Sequence, residues 1–441
     1  MSAAKFIEGF SRLSHEKKVE IMASLVSNSR EFIRLIEDHK HPDTEIQKLY
    51  KDFSENNLTD FHLPYGIAPN FLINEKIYHV PMVIEESSVV AAASSAAKFW
   101  FRKGGFHCQV LSTLKKGHVY FKWQGEFRNL DRFFNTMKQD LLESLAPYTD
   151  RMTKRGGGIV DINLIRNPEI LPDYYQLEVS FETVDSMGAN FINTCLEMLA
   201  VRWKETIETN RHFHTSERRC EIIMAILSNY TPECIVQCIV RCKAAELDKA
   251  GNTGTGLHLA TRFVEAVHIA HEDTNRAVTH NKGIFNGIDA VVMATGNDFR
   301  AVEANGHAYA VRDGKYRGLS KAWIEGDQFN FLLELPLAIG TVGGLTTAHP
   351  LAAGSLEILG NPDAEELMKI IAAVGLANNY NAVRSLITTG IQKGHMKLHL
   401  SNILHQLNVN QEEKLLIIAH FSDRVVSYSS VKEYLESIRK K

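Results

Sequence analysis

The amino-acid sequence predicts an α+β protein with two domains and a helical C-terminal segment. Its 441 residues exceed what a single hydrophobic core usually organises, so we expect at least two domains. Between residues 106 and 184 the apolar residues alternate in three segments, and a helical pattern at 127–145 separates the first from the other two. This order is typical of a compact domain with a largely antiparallel sheet. The segment 397–441 is a set of short amphipathic helices, which could form a mobile flap.

The N-terminal part predicts helices at residues 3–26 and 30–37, followed by a loop around Pro42. Residues 80–84 predict a short strand, in which Pro81 favours an edge position or a bulge. A helix at 89–101 is expected to begin just after the adjacent carboxylates Glu85 and Glu86. The carboxylates either stabilise the helix N-terminus or place a general acid in a cleft, and both interpretations stay open at this point.

The second half of the chain alternates long helices with short extended segments. The helix after residues 185–190 is expected to end near Glu208, and the glycines at 251, 254 and 256 predict a loop before the next helix. Neither glycine-containing segment has the G-x-G-x-x-G spacing of a dinucleotide fold, although small residues at a helix start can admit a phosphate. The remaining predicted elements are helices at 257–270, 297–310, 362–378 and 380–390, a strand at 329–337 and a glycine-rich turn at 341–345.

Charge and hydropathy exclude several classes of partner. A net charge of -3 gives no general attraction to nucleic acid or to an anionic membrane. The N-terminus has no apolar run of the signal-peptide kind, and the longest apolar stretches, 87–101 and 329–345, are too short or are interrupted by Glu334. We therefore expect a cytoplasmic protein with no nucleic-acid or membrane partner.

The six cysteines fit a cytosolic protein, in which thiols stay reduced. Cys234, Cys238 and Cys242 recur at even spacing, which predicts one buried face of a strand. Close C-x-x-C pairs are absent, so we expect no metal site. Cys108 and Cys195 are isolated thiols, and no serine lies in a nucleophile elbow.

The stretch 279–300 carries the strongest sign of chemistry. It is largely apolar, yet it contains Lys282, and burying an ammonium without a partner costs several kcal/mol. In a helix, Asn286 would share a face with Lys282, and Asn297 or Asp298 could cap the next helix and return Asp298 towards the lysine. A lysine held charged by a carboxylate can polarise a carbonyl oxygen. A buried structural ion pair with an N-cap is the alternative.

Five motifs in order give the chain a family resemblance. Together they resemble the class II form of 3-hydroxy-3-methylglutaryl-coenzyme A reductase, across about residues 55–396. Each motif alone is unspecific, but their joint order is specific, and from the hydropathy we expect no membrane anchor like that of the other class. The motifs are E-E-x-S-x-V-A-A from Glu85, D-x-M-G-A-N from Asp185, H-N-K-G from His280, A-T-G-N-D from Ala294 and G-H-M from Gly394.

The resemblance implies a domain arrangement. A large mixed α/β substrate-binding domain, residues 1–110 and 220–378, would be interrupted by a small NAD(P)-binding α+β domain at 111–219, with an antiparallel sheet and helices. Residues 379–441 would form the helical C-terminal flap. The family architecture also implies a homodimer whose active sites lie at the subunit interface.

The resemblance also assigns roles to residues. The substrate-binding residues would be Ser88, Arg276 and Asn286. The cofactor-binding residues would be Asp185, Met187, Gly188, Ala189, Asn190 and Asp150. The catalytic residues would be Glu86, Lys282, Asp298 and His395.

The implied reaction converts hydroxymethylglutaryl-coenzyme A to mevalonate and free coenzyme A by two hydride transfers, in the mevalonate pathway or in the reverse, oxidising direction. Lys282, held cationic by Asp298, would stabilise the charge that develops on the carbonyl oxygen. Glu86, with a raised pKa, would donate a proton, and His395 would protonate the coenzyme A thiolate.

Two departures from the family pattern concern the dimer and the cofactor. The family's E-N-V-I-G segment reads Glu55-Asn56-Asn57-Leu58-Thr59 here, so the packing of that strand must differ. Relatives that use NADH place an acidic residue ahead of the glycine run, where this chain has Thr149 with Asp150 adjacent. NADPH is favoured over NADH, because basic side chains that suit a 2′-phosphate lie close by, at Arg151, Lys154 and Arg155.

Two hypotheses from other classes compete with the reductase. One is a catalytically inactive paralogue that still binds coenzyme A esters, against which the four intact catalytic residues argue. The other is a coenzyme A-dependent transferase or hydrolase that works through Cys108 or another thiol, which would need a cysteine of low pKa beside a base.

Overall fold

A computed structural model describes residues 6–248, 253–388, 400, 403–404, 406–421, 424 and 426–439. The chain forms two compact units, Met1–Tyr65 and Gly66–Lys441. Helices and antiparallel sheets make up the described residues, which confirms the predicted α+β class.

The first unit contains α1 (His15–Ala23), α2 (Ser29–Asp38) and α3 (Thr44–Asp52). The single helix predicted at 3–26 is wrong in its described part, because a 3₁₀ turn at Phe10–Arg12 comes first and the Ser14 side chain then caps α1. The loop predicted after Pro42 contains α3, which Asp43 caps by accepting from two backbone amides. No strand forms at residues 55–59, where the family has E-N-V-I-G.

The second unit begins with strands β1 (Tyr65–Ile73) and β2 (Lys76–Val83), which form a two-stranded sheet. The strand predicted at 80–84 is therefore longer and starts earlier than predicted. Both strands of a two-stranded sheet are edge strands, so Pro81 lies where a proline is tolerated in a sheet. Helix α4 (Ser87–Phe101) follows directly, two residues earlier than predicted.

A four-stranded antiparallel sheet supports the larger core. Its strands, in spatial order, are β3 (His107–Val110), β8 (Ile235–Lys243), β10 (Gln328–Pro336) and β9 (Ser320–Glu325). The predicted cysteine face is confirmed, because Cys238 and Cys242 on β8 and Cys234 just before it are all buried.

A second four-stranded antiparallel sheet has a core of its own. Its spatial order is β5 (Gly158–Arg166), β6 (Tyr174–Glu182), β4 (Lys115–Trp123) and β7 (Cys220–Leu227). The helices of this part are α5 (Phe127–Ser144), α6 (Ala146–Thr153) and α7 (Ala189–Thr209). Aromatic side chains such as Phe121, Phe181 and Trp203 fill this core and have no exposed surface.

The larger core is completed by six helices: α8 (Thr253–Glu272), α9 (Thr274–Ala294), α10 (Phe299–Ala310), α11 (Leu345–Ala348), α12 (Pro350–Ile358) and α13 (Ala364–Ile387). The break predicted between 378 and 380 is wrong, because α13 continues through it and Asn379 bonds to His280 O and Ser320 Oγ. The loop predicted at the glycines is wrong for Gly254 and Gly256, which lie inside α8, while Gly251 lies outside the described residues.

The C-terminal segment contains α14 (Gln411–His420) and α15 (Tyr428–Arg439), which pack around a small core of their own. Arg439 forms an ion pair with Glu413, at 2.7 Å. Within the part of the chain that the structure describes, no helix is both long enough and apolar enough to cross a membrane.

Candidate active site

Helix α9 carries two of the predicted site residues on one face. Asp273 caps the helix by accepting hydrogen bonds from the backbone amides of Asn275 and Arg276, at 2.8 and 3.3 Å. Lys282 and Asn286 are four residues apart and therefore neighbours on the helix surface. Close packing of α9 on α13 fixes the position of this face.

Glu86, Ser88 and Lys282 converge, although they come from distant parts of the sequence. Glu86 is the N-cap residue of α4, yet its side chain makes no capping hydrogen bond and is free to point elsewhere. Its Oε2 lies 3.8 Å from Lys282 Nζ, and its Oε1 accepts a hydrogen bond from Ser88 Oγ. The side chains of Lys282 and Glu86 are 65% and 34% exposed, so this cleft is open in a single chain.

The structure corrects the predicted pairing of Lys282 with Asp298. Asp298 caps α10 and forms a two-pronged ion pair with Arg300, at 2.8 and 3.0 Å. Burial alone would raise the pKa of Asp298, but the hydrogen bonds from Arg300 and from the Ala301 amide outweigh it and lower the pKa.

Helix geometry explains why one chain cannot make that pair. Lys282 and Ala294, at the end of α9, are twelve residues apart, or about 18 Å along the axis. Helix α10 then folds back, because the Phe285 ring packs on His307 at 4.8 Å. Asp298 thus lies at the far end of α9 from Lys282, and Glu86 is the ion-pair partner of Lys282 among the described residues.

The other predicted residues of the substrate group differ in their surroundings. Arg276 is partly buried, and burial lowers its pKa. Burial and the nearby Arg276 lower the pKa of His280 to about 3, and its ring bonds to Ser320 Oγ at 2.6 Å, so His280 is a neutral core residue. Asn286 is partly buried. His395 lies outside the described residues.

A carboxyl pair lies further along the face of α9 that carries Lys282. Asp289 follows Asn286 by three residues and hydrogen-bonds to Glu303 of α10. Burial raises the pKa of Asp289 to about 8, and the neighbouring charge and hydrogen bond of Glu303 raise it in the same direction. Burial and Glu303 therefore both favour the protonated form of the Asp289 carboxyl.

The D-x-M-G-A-N motif forms a strained turn at the start of α7. Val184 has φ of 51°, which is unusual for a β-branched residue, and Gly188 has φ of 85°. Gly188 is the N-cap residue of α7 and provides no side chain, so the first amides of this 21-residue helix are left for another partner. A Cβ at Gly188 would lie 2.5 Å from Thr183, so glycine is required there.

The same turn is tied to the larger core through Asp185. Its backbone carbonyl accepts from the Thr341 amide at 2.8 Å, and its carboxylate accepts from the Ala364 amide, at the start of α13, at 2.9 Å. The Asp185 carboxylate therefore has a partner within the protein. Met187 and Ala189, two other predicted cofactor residues, line a cavity of about 20 Å³ behind the turn.

Lys115 lines this cavity too, and the sequence reasoning missed it. Its side chain is buried, and its Nζ donates to Ser186 O at 2.9 Å and to Thr183 Oγ1. The signal was present in the alternation of β4, because Lys115 has the same parity as the buried residues Val119, Phe121 and Trp123. Arg300, the second missed residue, is visible only as a basic residue two positions after Asp298.

The exposed surface of α6 and the turn after it carries the residues predicted to select the cofactor. Asp150 forms an ion pair with Lys154 at 2.6 Å, and both side chains are mostly exposed. Arg151 and Arg155 are exposed as well.

The cysteines offer no activated nucleophile. All six are free and buried. Burial raises the pKa of Cys195 to about 11 and, with a smaller effect of Glu208, that of Cys220 to about 12. Among the described residues, no group of three or more histidine, cysteine, aspartate or glutamate side chains is arranged to hold a metal ion.

Comparison with known proteins identifies the family. The sequence profile of hydroxymethylglutaryl-coenzyme A reductase matches residues 17–400. The chain belongs to the hydroxymethylglutaryl-coenzyme A reductase family. It is 34% identical over 439 residues to the 3-hydroxy-3-methylglutaryl-coenzyme A reductase of Archaeoglobus fulgidus, covering 98% of this chain and 94% of that protein. It is 30% identical over 420 residues to the probable reductase of Borreliella burgdorferi, covering 90% and 93%.

Solved reductase structures share the fold. The 3-hydroxy-3-methylglutaryl-coenzyme A reductase of Streptococcus pneumoniae matches with a TM-score of 0.72 and 33% identity, covering 98% of this chain and 99% of that one. A class II reductase from the same organism, described as bound to NADPH in open conformations, matches with a TM-score of 0.71 and 35% identity, covering 86% and 99%. These findings confirm the predicted class II reductase family and its NAD(P)H-dependent oxidoreductase activity, and they favour neither competing hypothesis.

Proposed function

We propose that the cleft formed by Glu86, Ser88 and Lys282 is where the chain reduces hydroxymethylglutaryl-coenzyme A to mevalonate and free coenzyme A. The observation that carries this proposal is the approach of Lys282 Nζ to Glu86 Oε2, at 3.8 Å. Two NADPH and two protons are consumed for each thioester, and the cofactor supplies a hydride at each of the two reductions.

Lys282 would hold the carbonyl oxygen through both reductions. Its ammonium can donate to the oxygen while negative charge develops there, an interaction that is stronger in the transition state than in the ground state. Glu86 would provide the proton that the oxygen finally takes, because it already lies beside the ammonium. Ser88 and Asn286 flank this pair and would orient the hydroxymethylglutaryl group, together with Arg276.

The D-x-M-G-A-N turn would hold the cofactor. Its fit rests on two features, the uncapped amides at the start of α7 and the small residues Gly188 and Ala189, which let a ligand approach the backbone. Asn190 lies in the first turn of the same helix. The class II reductase structure from Streptococcus pneumoniae that is bound to NADPH supports a nicotinamide cofactor here.

We propose NADPH rather than NADH as the preferred cofactor, and no metal. The ion pair between Asp150 and Lys154 offsets the one carboxylate that could favour an unphosphorylated ribose. Arg151 and Arg155 add positive charge nearby, which suits a 2′-phosphate.

A homodimer with shared active sites would complete the centre. The high exposure of Lys282 and the engagement of Asp298 by Arg300 rather than by Lys282 both leave room for a residue from a second copy of the chain. In this arrangement Asp298 of one protomer would lie beside Lys282 of the other, and His395 would protonate the leaving thiolate. The six free thiols are consistent with a cytoplasmic enzyme.

The first experiment follows nicotinamide absorbance with hydroxymethylglutaryl-coenzyme A and either NADPH or NADH. We expect oxidation of NADPH with the higher catalytic efficiency, and no oxidation of either cofactor would refute the proposed function.

Two variants test the assigned roles. Exchange of Lys154 for glutamate should shift the ratio of catalytic efficiencies towards NADH. The His395→Gln variant should lose thioester reduction more than reduction of free mevaldehyde, and equal losses would contradict its role at the thiolate.

A further inference from the structure

Lys115 is a buried lysine without a direct ion pair. It is 4% exposed, and among the described residues it forms no ion pair within 4 Å. The nearby carboxylates are engaged elsewhere, since Glu182 accepts from Thr113 Oγ1 and the Val184 amide and Asp185 accepts from the Ala364 amide. An ammonium buried in this way costs several kcal/mol, which a purely structural role does not require.

The contacts of Lys115 converge on the turn of the D-x-M-G-A-N motif. The ammonium donates to Thr183 Oγ1, just before the turn, and to Ser186 O within it. Val184 lies between these two residues in the chain, and its strained left-handed backbone conformation must be stabilised by the surrounding contacts. An ammonium has three N–H groups, and these two bonds use only two of them.

We propose that Lys115 is a positioning residue for the nicotinamide cofactor, because its ammonium holds the turn at Thr183–Ser186 and its charge offsets the charge of the cofactor phosphates. This inference rests on the proposed function of the turn. The cofactor is a polyanion, and it would approach the start of α7, directly beyond Met187 and Ala189, which share a cavity with Lys115. Burial lowers the pKa of Lys115, while Glu182 and Asp185 act in the opposite direction. A bound anion would favour the charged form further.

The structure allows the charge to be removed without unfolding the turn. Thr183 Oγ1 also donates to Ser186 O, at 2.6 Å, so this carbonyl keeps a donor when Lys115 is replaced. Methionine has a similar shape and carries no charge, so the replacement removes the cost of burying an ammonium. The Lys115→Met variant should therefore fold with an unchanged or higher thermal midpoint.

The matched control is the next residue on the strand. Lys116 pairs with Glu178 and Glu233 at 3.2 and 2.9 Å and lies on the opposite face of β4. The Lys116→Met variant removes the same charge from the same strand, away from the turn. Thr183→Val is a second test variant, which removes the hydroxyl shared by Lys115 and Ser186 O.

The experiment measures the dissociation constant of NADPH by fluorescence titration without the thioester, together with the KM of each substrate and the thermal midpoint without cofactor. We expect Lys115→Met to weaken NADPH binding at least tenfold, with the KM for hydroxymethylglutaryl-coenzyme A and the thermal midpoint preserved, and Lys116→Met to bind NADPH as the wild type does. If Lys115→Met does not fold, Thr183→Val should weaken NADPH binding in the same direction.

Failure of the inference and failure of the proposed function give different results. If the wild type oxidises no nicotinamide cofactor, the proposed function is wrong. If the wild type is active and Lys115→Met binds NADPH normally, only the role of Lys115 is refuted. An equal weakening in Lys116→Met would also refute it, because a general loss of positive charge would then explain the effect.

Discussion

Two glycines on α9 should respond in opposite ways to the same substitution. A Cβ at Gly283 would meet only the Ala382 methyl group, at 3.7 Å, which is an ordinary contact. A Cβ at Gly287 would lie 2.7 Å from the backbone oxygen of Val374 and 2.6 Å from Asn378 Nδ2 on α13. The first position has room for alanine and the second has none without separating the two helices.

The magnitudes follow from helix propensity and packing. Alanine in a helix interior is favoured over glycine by about 1 kcal/mol, so Gly283→Ala should stabilise the protein by up to that amount. Overpacking costs about 1–3 kcal/mol, and at Gly287 the backbone of α13 cannot move aside as a flexible side chain could. After the propensity gain, Gly287→Ala should be destabilising by up to about 2 kcal/mol.

Urea unfolding followed by tryptophan fluorescence measures the difference, because Trp100 is buried in the same core as α9. We expect the urea midpoint to rise for Gly283→Ala and to fall for Gly287→Ala. Comparing midpoints of the two variants avoids a long extrapolation. Equal midpoints, or a more stable Gly287→Ala, would refute the inferred tightness of the α9–α13 contact.

Three further predictions concern the site. Lys282→Met should lower kcat about 100-fold or more, and near-normal turnover would contradict the mechanism. The free energy of unfolding should change by less than about 1 kcal/mol, because the ion pair of Lys282 with Glu86 is exposed. Since Asp289 has a pKa of about 8 in the fold, above its ordinary value of 3.8, its stabilising contribution is complete below about pH 4 and is lost as the pH rises through 8. The wild type should thus lose stability between about pH 4 and 8 more steeply than Asp289→Asn, and parallel profiles by thermal unfolding would count against the raised pKa. Cys108→Ala should keep full turnover, and a large loss would revive the thiol hypothesis.

The sequence predicted best those elements whose periodicity is local. Strand β5 and the start of α5 match their predicted positions, and the cysteine parity of β8 was correct. Caps and polar helix residues were harder to interpret. Helix α3 starts at Thr44 with Asp43 as its cap, after a proline that suggested a loop. Helix α13 passes through Asn378 and Asn379, and Asn379 has hydrogen-bond partners on other elements that no local pattern reveals.

The sequence indicated which residues belong to the candidate site, but not which of them form ion pairs within one chain. The motifs assigned Glu86, Ser88 and Lys282 to one site, because the family resemblance covers about residues 55–396, and the structure places these three side chains close together. The choice of Asp298 as the partner of Lys282 depended on the direction in which α10 leaves α9, and a local pattern contains no such information. The alternation of β4 did indicate that the Lys115 side chain is buried. However, a charged residue at the first position of a strand is easily interpreted as the exposed end of that strand.

All six cysteine thiols are buried, so their chemical modification reports when the surrounding structure opens. Thiol reagents attack an exposed thiolate, so a buried cysteine is modified only when its surroundings open. The two larger cores contain separate sets: Cys108, Cys234, Cys238 and Cys242 in one, and Cys195 and Cys220 in the other. Timed alkylation read by peptide mass would therefore show which core loosens first on heating, and whether adding the thioester or the nucleotide slows one set and leaves the other unchanged.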